Sequence, residues 1–274
     1  MAELTGIYAA SHGPMIVRSW DALPVESRAK LTAMFTALGR RINAARPDVL
    51  IVVSPDHWVN FFLDNFPSIC IGVGETHKGP PEPWMGAFPH QQMRGHAPLA
   101  QHLLEHAFAD AFEPAVSYQL ALDHGFCIPL WKAGLDPLPA IVPVIINTVE
   151  PPYPSPTRCF DLGRSLAQAV HSFPGALRVA ILATGGLSHS IGEATMGAID
   201  EAFDRECIQH LSSGNRDALM TFLESRLSAA GNGAAEMRNW LAAHGAADAR
   251  GFELIHYSAM PEIYVGCGVA EWRL

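Results

Sequence analysis

The sequence predicts an α/β fold, with a central mostly parallel or mixed sheet flanked by helices and a functional site at the carboxyl ends of the strands. The run Val49–Ser54 is apolar and mostly β-branched, as in a strand buried on both faces. An apolar stripe at helical spacing covers residues 25–46, and Pro47 ends it. The apolar runs 5–10 and 178–184 lead, like Val49–Ser54, into a loop with a histidine. Open α/β sheets bind ligands at such strand ends.

Length and composition favour one catalytic domain, residues 1–274. Of the 274 residues, 49% are apolar and 16% charged, which is enough to bury a sizeable core. The net charge is −9 and no Lys/Arg run occurs, which argues against a nucleic-acid partner. No apolar run approaches the roughly 20 residues of a membrane helix and no signal-peptide core is visible, so we expect a cytoplasmic protein without a membrane partner. The five cysteines form no CxxC pair, so we expect free thiols.

Two predicted strands in the first quarter of the chain are each followed by a loop that contains a histidine. The first strand, residues 5–10, is followed by Ser11-His12-Gly13-Pro14, and the second, Val49–Ser54, by Pro55-Asp56-His57. The helix over 25–46 connects them as in the right-handed βαβ crossover of a parallel sheet. Imidazole is the commonest metal ligand, and two strand-end imidazoles could meet across one crevice.

The middle of the chain alternates further strands and helices. A strand is expected over 68–73, and the long segment 74–98 reads as an irregular lid, a substrate-facing loop or an arm that packs on another subunit. A helix follows over 98–112. Asp123 and His124 then precede the apolar run 126–131, where Asp123 fits a helix cap and His124 an acid/base residue.

The last part of the chain contains the third strand-end histidine. A strand at 140–146 and a helix at 158–173 lead into the strand 178–184, which ends in Gly185-Gly186-Leu187-Ser188-His189. Helix is expected from residue 194 onward, then a short helix over 234–245 with Asn232 as its cap. Two strands, 254–260 and 262–271, close the chain.

Two strand-end histidines and one carboxylate would form a 2-His-1-carboxylate triad. This ligand set suits non-haem Fe(II), because it leaves one face of the octahedron open for substrate and O₂. The residues alone do not decide which carboxylate completes the triad. Glu236, Asp56, Glu75 and Glu82 are all candidates. The same ligands also suit a Zn hydrolase or lyase, and a non-catalytic binding relative of the fold is a further alternative.

Five short motifs, in this order and spacing, resemble the class III extradiol ring-cleavage dioxygenases, and most of all the group of the protocatechuate 4,5-dioxygenase catalytic β subunit and its gallate-type relatives. The motifs contain Ser11-His12-Gly13-Pro14, Ser54-Pro55-Asp56-His57, Asp123-His124-Gly125-Phe126, Thr184-Gly185-Gly186-Leu187-Ser188-His189 and Ala235-Glu236-Met237-Arg238-Asn239-Trp240. The resemblance runs from residue 5 to about residue 245.

The resemblance implies a role for each candidate residue. His12, His57 and Glu236 would bind Fe(II), His189 would be the acid/base residue beside the iron, and His124 would be a second acid/base or O₂-stabilising residue. The implied reaction is cleavage of a catechol-type ring, protocatechuate- or gallate-like or a related diol, with O₂. The implied partners are that small aromatic diol and O₂, with assembly as a homo-oligomer or with a small companion subunit. The loop 79–86 matches no single substrate subgroup, which leaves the substrate open.

Overall fold

A computed structural model describes residues 1–274 as ten strands, eight helices and five short 3₁₀ turns. The strands are β1 Glu3–Ala10, β2 Val49–Ser54, β3 Ile69–Gly72, β4 Thr76–Lys78, β5 Gln92–Arg94, β6 Ala115–Ser117, β7 Ala140–Ile146, β8 Arg178–Thr184, β9 Phe252–Met260 and β10 Val265–Trp272. The helices are α1 Met15–Arg18, α2 Val25–Ala45, α3 Ala97–Ala109, α4 His124–Lys132, α5 Pro156–Ser172, α6 Glu201–Ser213, α7 Arg216–Arg226 and α8 Met237–Ala246. None of these helices combines the length and apolar character that crossing a bilayer requires.

Eight strands form one mixed sheet in the order β6-β3-β7-β2-β8-β1-β10-β9. The four central strands β7, β2, β8 and β1 are parallel, while β3 and β10 run antiparallel to their inner neighbours. The predicted α/β class with a mostly parallel or mixed sheet is therefore confirmed. The strands β1 and β2 are parallel but not adjacent, because β8 lies between them and pairs with both. The loops after β1, β8 and β2 consequently leave the same edge of the sheet side by side.

Helices cover both faces of the sheet and create two apolar cores. One core holds 49 buried residues, among them Val49, Ile51 and Val53 of β2, and contains much of α3, α5 and α8. The other holds 32 buried residues, among them Leu50 and Val52 of the same strand, and contains much of α2 and α4. Successive side chains of a strand point to opposite faces, so β2 contributes to both cores. This explains its unbroken apolar sequence.

The segment 74–98 is more ordered than the sequence suggested. Strands β4 and β5 pair antiparallel as a small two-stranded sheet, and a 3₁₀ turn at Pro83–Met85 lies between them. Lys78 also forms an isolated bridge with Ala121, just before α4. The hairpin is thereby attached to the loop that carries His124, and it brings Glu82 to that histidine.

The remaining differences from the sequence analysis concern where elements begin. Helix α6 begins at Glu201 and not near residue 194, because Asp200 caps it by accepting a hydrogen bond from the backbone N–H of Phe203. Helix α8 begins at Met237, after a 3₁₀ turn over Asn232–Glu236. Asn232 is not its cap, since its side chain exchanges hydrogen bonds with the backbone of Ile191.

Candidate metal centre

Three side chains from distant parts of the sequence converge at the carboxyl edge of the sheet. His12 follows β1, His57 follows β2, and Glu236 is the last residue of the 3₁₀ turn before α8. Glu236 Oε1 lies 3.3 Å from His12 Nε2 and 3.4 Å from His57 Nε2. His12 and Glu236 are buried, and the two imidazole rings meet edge to face with centroids 4.9 Å apart.

The other ring nitrogen of each histidine is held by the protein. His57 Nδ1 lies 3.0 Å from Asp123 Oδ2, and because a carboxylate only accepts, Nδ1 carries a proton and Nε2 is the ring nitrogen that faces Glu236 Oε1. The same Oδ2 accepts a 2.8 Å hydrogen bond from the backbone N–H of His57. His12 Nδ1 lies 3.2 Å from the hydroxyl of Thr184, the last residue of β8. Such outer partners fix the tautomer and orientation of metal-binding histidines.

A glycine pair fixes the second oxygen of Glu236. The backbone N–H of Gly186 donates to Glu236 Oε2 at 2.7 Å, so only Oε1 faces the two imidazoles. Gly185 and Gly186 adopt φ of +104° and +62°, a region that side chains with a Cβ rarely occupy. A Cβ at Gly185 would also lie 2.6 Å from Glu236 Oε2. The glycines after β8 therefore allow the backbone to approach this carboxylate.

His124 lies against the same cluster from α4. Its ring is 4.2 Å from that of His57 between centroids, and a ring nitrogen of each of His12, His57 and His124 lies within 4.8 Å of the others. His124 Nδ1 donates to Glu82 Oε1 at 2.7 Å, and the backbone N–H of His124 donates to the same oxygen at 3.0 Å. The carboxylate of Glu82 is thus suited to stabilise a protonated His124.

His189 lies on the opposite side of Glu236 in a tightly held turn. Its Nδ1 donates to the carbonyl of Leu187 at 3.0 Å, and its Nε2 is 3.9 Å from Glu236 Oε2. The preceding Ser188 is fixed by buried Asp204, which accepts from the Ser188 backbone N–H at 2.8 Å and from its hydroxyl at 2.9 Å. A Cβ at Gly233 would lie 2.1 Å from His189 Nε2, so only glycine leaves room for this ring.

The pKa values follow from burial and from the paired charges. Burial alone would raise the pKa of Glu236, but the imidazoles of His12 and His57 outweigh it and hold that pKa well below the usual value. Burial lowers the pKa of His12, while neighbouring Glu236 partly opposes this effect. Burial would also lower the pKa of His57, but Asp123 and Glu236 raise it above the ordinary value. The carboxylate charges at the centre are thus retained at neutral pH.

The donor set of this centre fits a divalent metal ion. Glu236 Oε1 lies 3.3 and 3.4 Å from the two imidazole Nε2 atoms, separations that fit donors sharing one ion at roughly 2.1 Å. A buried carboxylate between imidazoles, each oriented from behind, is also the usual construction of such sites. His12, His57 and Glu236 match a facial triad with open positions, and a ring nitrogen of His124 lies close enough to the two histidines to be a further donor.

The other three candidate carboxylates, Asp56, Glu75 and Glu82, lie in other surroundings. Asp56 accepts hydrogen bonds from the backbone N–H groups of Val59, Asn60 and Phe61, so it caps the turn after β2. Glu75 is exposed on the β4 side of the molecule, and Glu82 binds His124.

Sequence reasoning missed three partners of the histidines and the partner of Ser188. Asp123 was assigned only the capping role, which its Oδ1 does fulfil by accepting from the Gly125 N–H, whereas its Oδ2 holds His57. Thr184, Glu82 and Asp204 received no such role either. A polar residue ending a buried strand was a usable signal for Thr184, but the other two pairings need the tertiary structure.

A cavity of about 470 Å³ opens over these residues. Its floor contains the three histidines, His189 and Glu236, and its walls come from the loops after β2, β7 and β8 and from the segment before β10. The volume lies within the roughly 300–1,000 Å³ typical of small-molecule sites.

Residues 6–268 match the family model described as the catalytic LigB subunit of aromatic ring-opening dioxygenase. Relatives are named 2,3-dihydroxyphenylpropionate/2,3-dihydroxicinnamic acid 1,2-dioxygenase. The protein from Paraburkholderia phymatum is 28% identical over 83% of this chain and 85% of its own. That from Klebsiella pneumoniae is 39% identical over 55% of this chain and 46% of its own.

A solved structure shows the same fold. The uncharacterized protein JW3007 from Escherichia coli K12 superposes with a TM-score of 0.64 and 17% identity, over 97% of this chain and all of that one. The family match extends from β1 to β10 and includes every residue of the centre. The chain therefore belongs to the LigB family of aromatic ring-opening dioxygenases, and it is an extradiol-type oxidoreductase.

Proposed function

We propose that the chain is a non-haem Fe(II) dioxygenase that opens a catechol-type ring beside its hydroxyl pair, with His12, His57 and Glu236 holding the ion. The observation that carries the proposal is the position of Glu236 Oε1, 3.3 and 3.4 Å from the two Nε2 atoms. His124 packs against His12 and His57 but forms no ion pair with Glu236, and its Nδ1 is held by Glu82, so we propose that it acts on the substrate. Family membership favours this oxidoreductase over the Zn hydrolase or lyase and over a non-catalytic relative.

Fe(II), when bound, supplies the redox chemistry that lets O₂ react with a diol and lowers the pKa of a diol hydroxyl. The proton transfers are assigned to His189 and His124. Nδ1 of His189 donates to the Leu187 carbonyl, so neutral His189 presents Nε2 as a base toward the cavity. It accepts the proton of a diol hydroxyl.

His124 acts at a second position. Its Nδ1–H is held by Glu82, so its Nε2 side exchanges a proton with the substrate while the carboxylate stabilises the imidazolium. Ring opening adds both oxygen atoms of O₂ to the diol, so the product contains all atoms of both reactants. The protons taken by His189 and His124 are therefore returned to the product, and no external reductant is consumed.

The partners proposed are accordingly a small aromatic diol and O₂. Self-association or a small companion subunit, expected from the resemblance, stays a prediction.

The test is anaerobic reconstitution with Fe(II), followed by O₂ and a panel of catechols, protocatechuate, gallate and aminophenols. We expect one O₂ consumed for each diol, together with a yellow ring-opened product. The matched controls are the Zn(II)-loaded protein and the Fe(II)-treated His12→Ala variant, both of which should be inactive. Activity with Zn(II) but not Fe(II), or O₂ uptake without ring opening, would contradict the proposal.

A further inference from the structure

The cavity over the metal centre has no lysine or arginine among its 18 lining residues. Beyond the floor, the walls are mostly apolar or neutral, with Trp58, Val149, Ile191, Ile263 and Tyr264 among the lining residues. The only carboxyl group on these walls belongs to Glu150, which is half-buried and forms no ion pair with a lysine or arginine.

Two arginines in this part of the molecule serve other contacts. Arg18 is exposed, and its guanidinium lies 5.8 Å from the ring of Trp84, which in turn lies 5.5 Å from the ring of His124. Arg238 is buried, donates to the carbonyls of Pro154 and Ala235, and lines a separate cavity of about 600 Å³. Neither arginine lines the cavity over the metal centre.

The lack of lysine and arginine on the cavity walls, together with the presence of Glu150, makes an anionic substituent costly to bind. A carboxylate on a ring substituent that lies against these walls loses hydration, finds no lysine or arginine to pair with and approaches the residue Glu150. Desolvated charges without a partner are costly, and like charges across an interface exclude wrong ligands. An apolar substituent pays no such penalty against these walls, and the volume leaves space for one beside the ring.

We propose that this enzyme acts on catechols whose ring substituent is apolar and uncharged, and that Glu150 disfavours substrates with a carboxylate on that substituent. The inference rests on the proposed function and narrows its substrate class. It separates this chain from its relatives, whose names give the substrates as a propionate and a cinnamic acid.

The experiment compares 3-(2,3-dihydroxyphenyl)propionate with its methyl ester, two substrates that differ mainly in charge. With the Fe(II)-reconstituted full chain, we expect kcat/KM for the ester to exceed that for the acid by roughly tenfold or more, since about 1.4 kcal/mol of unfavourable desolvation and repulsion corresponds to that factor. Glu150→Gln should raise the acid-to-ester ratio several-fold. Glu193→Gln, which removes a carboxylate from the separate cavity, should leave that ratio unchanged.

Three results would overturn the inference. They are a wild-type preference for the acid, an unchanged ratio in Glu150→Gln, and a selective loss of the acid reaction in Arg238→Gln, which would show that Arg238 recruits the carboxylate. Absence of O₂ uptake with both compounds would contradict the proposed function instead. Calorimetric dissociation constants of acid and ester under anaerobic conditions would still test the charge preference in that case.

Discussion

Asp123 Oδ2 accepts two hydrogen bonds from His57, one from its backbone N–H at 2.8 Å and one from its ring Nδ1 at 3.0 Å. Oδ1 of the same carboxylate accepts from the N–H of Gly125 at the start of α4. Asp123 is fully buried, and although burial opposes its charge, the adjacent imidazole of His57 lowers the pKa of Asp123. One carboxylate therefore fixes the orientation of His57 and the beginning of the helix that carries His124.

Asp123→Asn should weaken Fe(II) binding roughly 10- to 100-fold, the usual loss when an outer partner of a ligand histidine is removed. An amide cannot accept from all three N–H donors at once, so His57 would lose its fixed tautomer. Chelator competition under anaerobic conditions measures the dissociation constant. Asp110→Asn is the matched control, because Asp110 pairs with His106 on the surface of the molecule. Equal affinities for Fe(II) in the two variants would refute the role of Asp123.

Gly233→Ala should lose most turnover while keeping its metal. The added methyl carbon would lie 2.1 Å from His189 Nε2, so the ring must leave its position, whereas no contact to His12 or His57 changes. We expect a fall in kcat comparable to that of His189→Ala, roughly a hundred- to ten-thousand-fold. Steady-state O₂ consumption and iron content are measured together, and a fully active Gly233→Ala enzyme would show that His189 is not needed in this position.

Asp204→Ala should lower kcat without changing iron affinity. Asp204 holds Ser188 by two hydrogen bonds, and its Oδ2 also accepts from the Tyr257 hydroxyl at 2.7 Å. Burial raises the pKa of Asp204 to about 6, so the ionised carboxylate costs stability near neutral pH, and we assign it to positioning the turn before His189. Tyr257→Phe, which leaves both bonds to Ser188, is the control and should retain activity. A loss of iron in Asp204→Ala would contradict this prediction, because it would show that the substitution disturbs the metal ligands.

His77 should make the fold sensitive to mild acid. It is buried, neither ring nitrogen has a hydrogen-bond partner, and burial lowers its pKa from 6.5 to about 4. Because the unfolded chain binds the proton first, stability from this group is full above pH 6.5 and falls as the pH drops toward 4. Between pH 7 and 5 the free energy of unfolding should fall by roughly 1–2 kcal/mol more in the wild type than in His77→Leu.

Urea unfolding at both pH values measures this difference. The control is His171→Gln at an exposed histidine, which should follow the wild type. The same pH dependence in His77→Leu and the wild type would rule out His77 as its source.

The strand-end histidines could be predicted because their signal is local. An unbroken apolar run such as Val49–Ser54 specifies a strand with helices on both faces, and the carboxyl end of a parallel strand specifies the edge where the next polar residue lies. Three repetitions, at His12, His57 and His189, then indicate one site. Asp204 gave no such signal, since a buried aspartate in an amphipathic helix looks like any polar position until its partner Ser188 is known.

Reasoning from the residues alone could not identify the carboxylate that belongs to the metal centre. Asp56 adjoins His57 in sequence and was as good a candidate as Glu236, but its backbone turns it toward three N–H groups of the following loop. Glu236 reaches the centre only because β8 pairs between β1 and β2 and places Gly185 and Gly186 beneath α8. That order of strands depends on contacts between residues more than a hundred positions apart, and hydrophobic periodicity does not report them.

Iron per chain, measured beside steady-state O₂ consumption in Glu236→Gln and His189→Ala, tests the central claim most directly. The claim is that Glu236 is a ligand and His189 acts on the substrate. Glu236→Gln should lose both iron and activity, because it removes the only anionic donor next to His12 and His57. His189→Ala should keep wild-type iron and lose turnover roughly a hundred- to ten-thousand-fold. Wild-type iron in Glu236→Gln, or iron lost in step with activity in His189→Ala, would contradict the account.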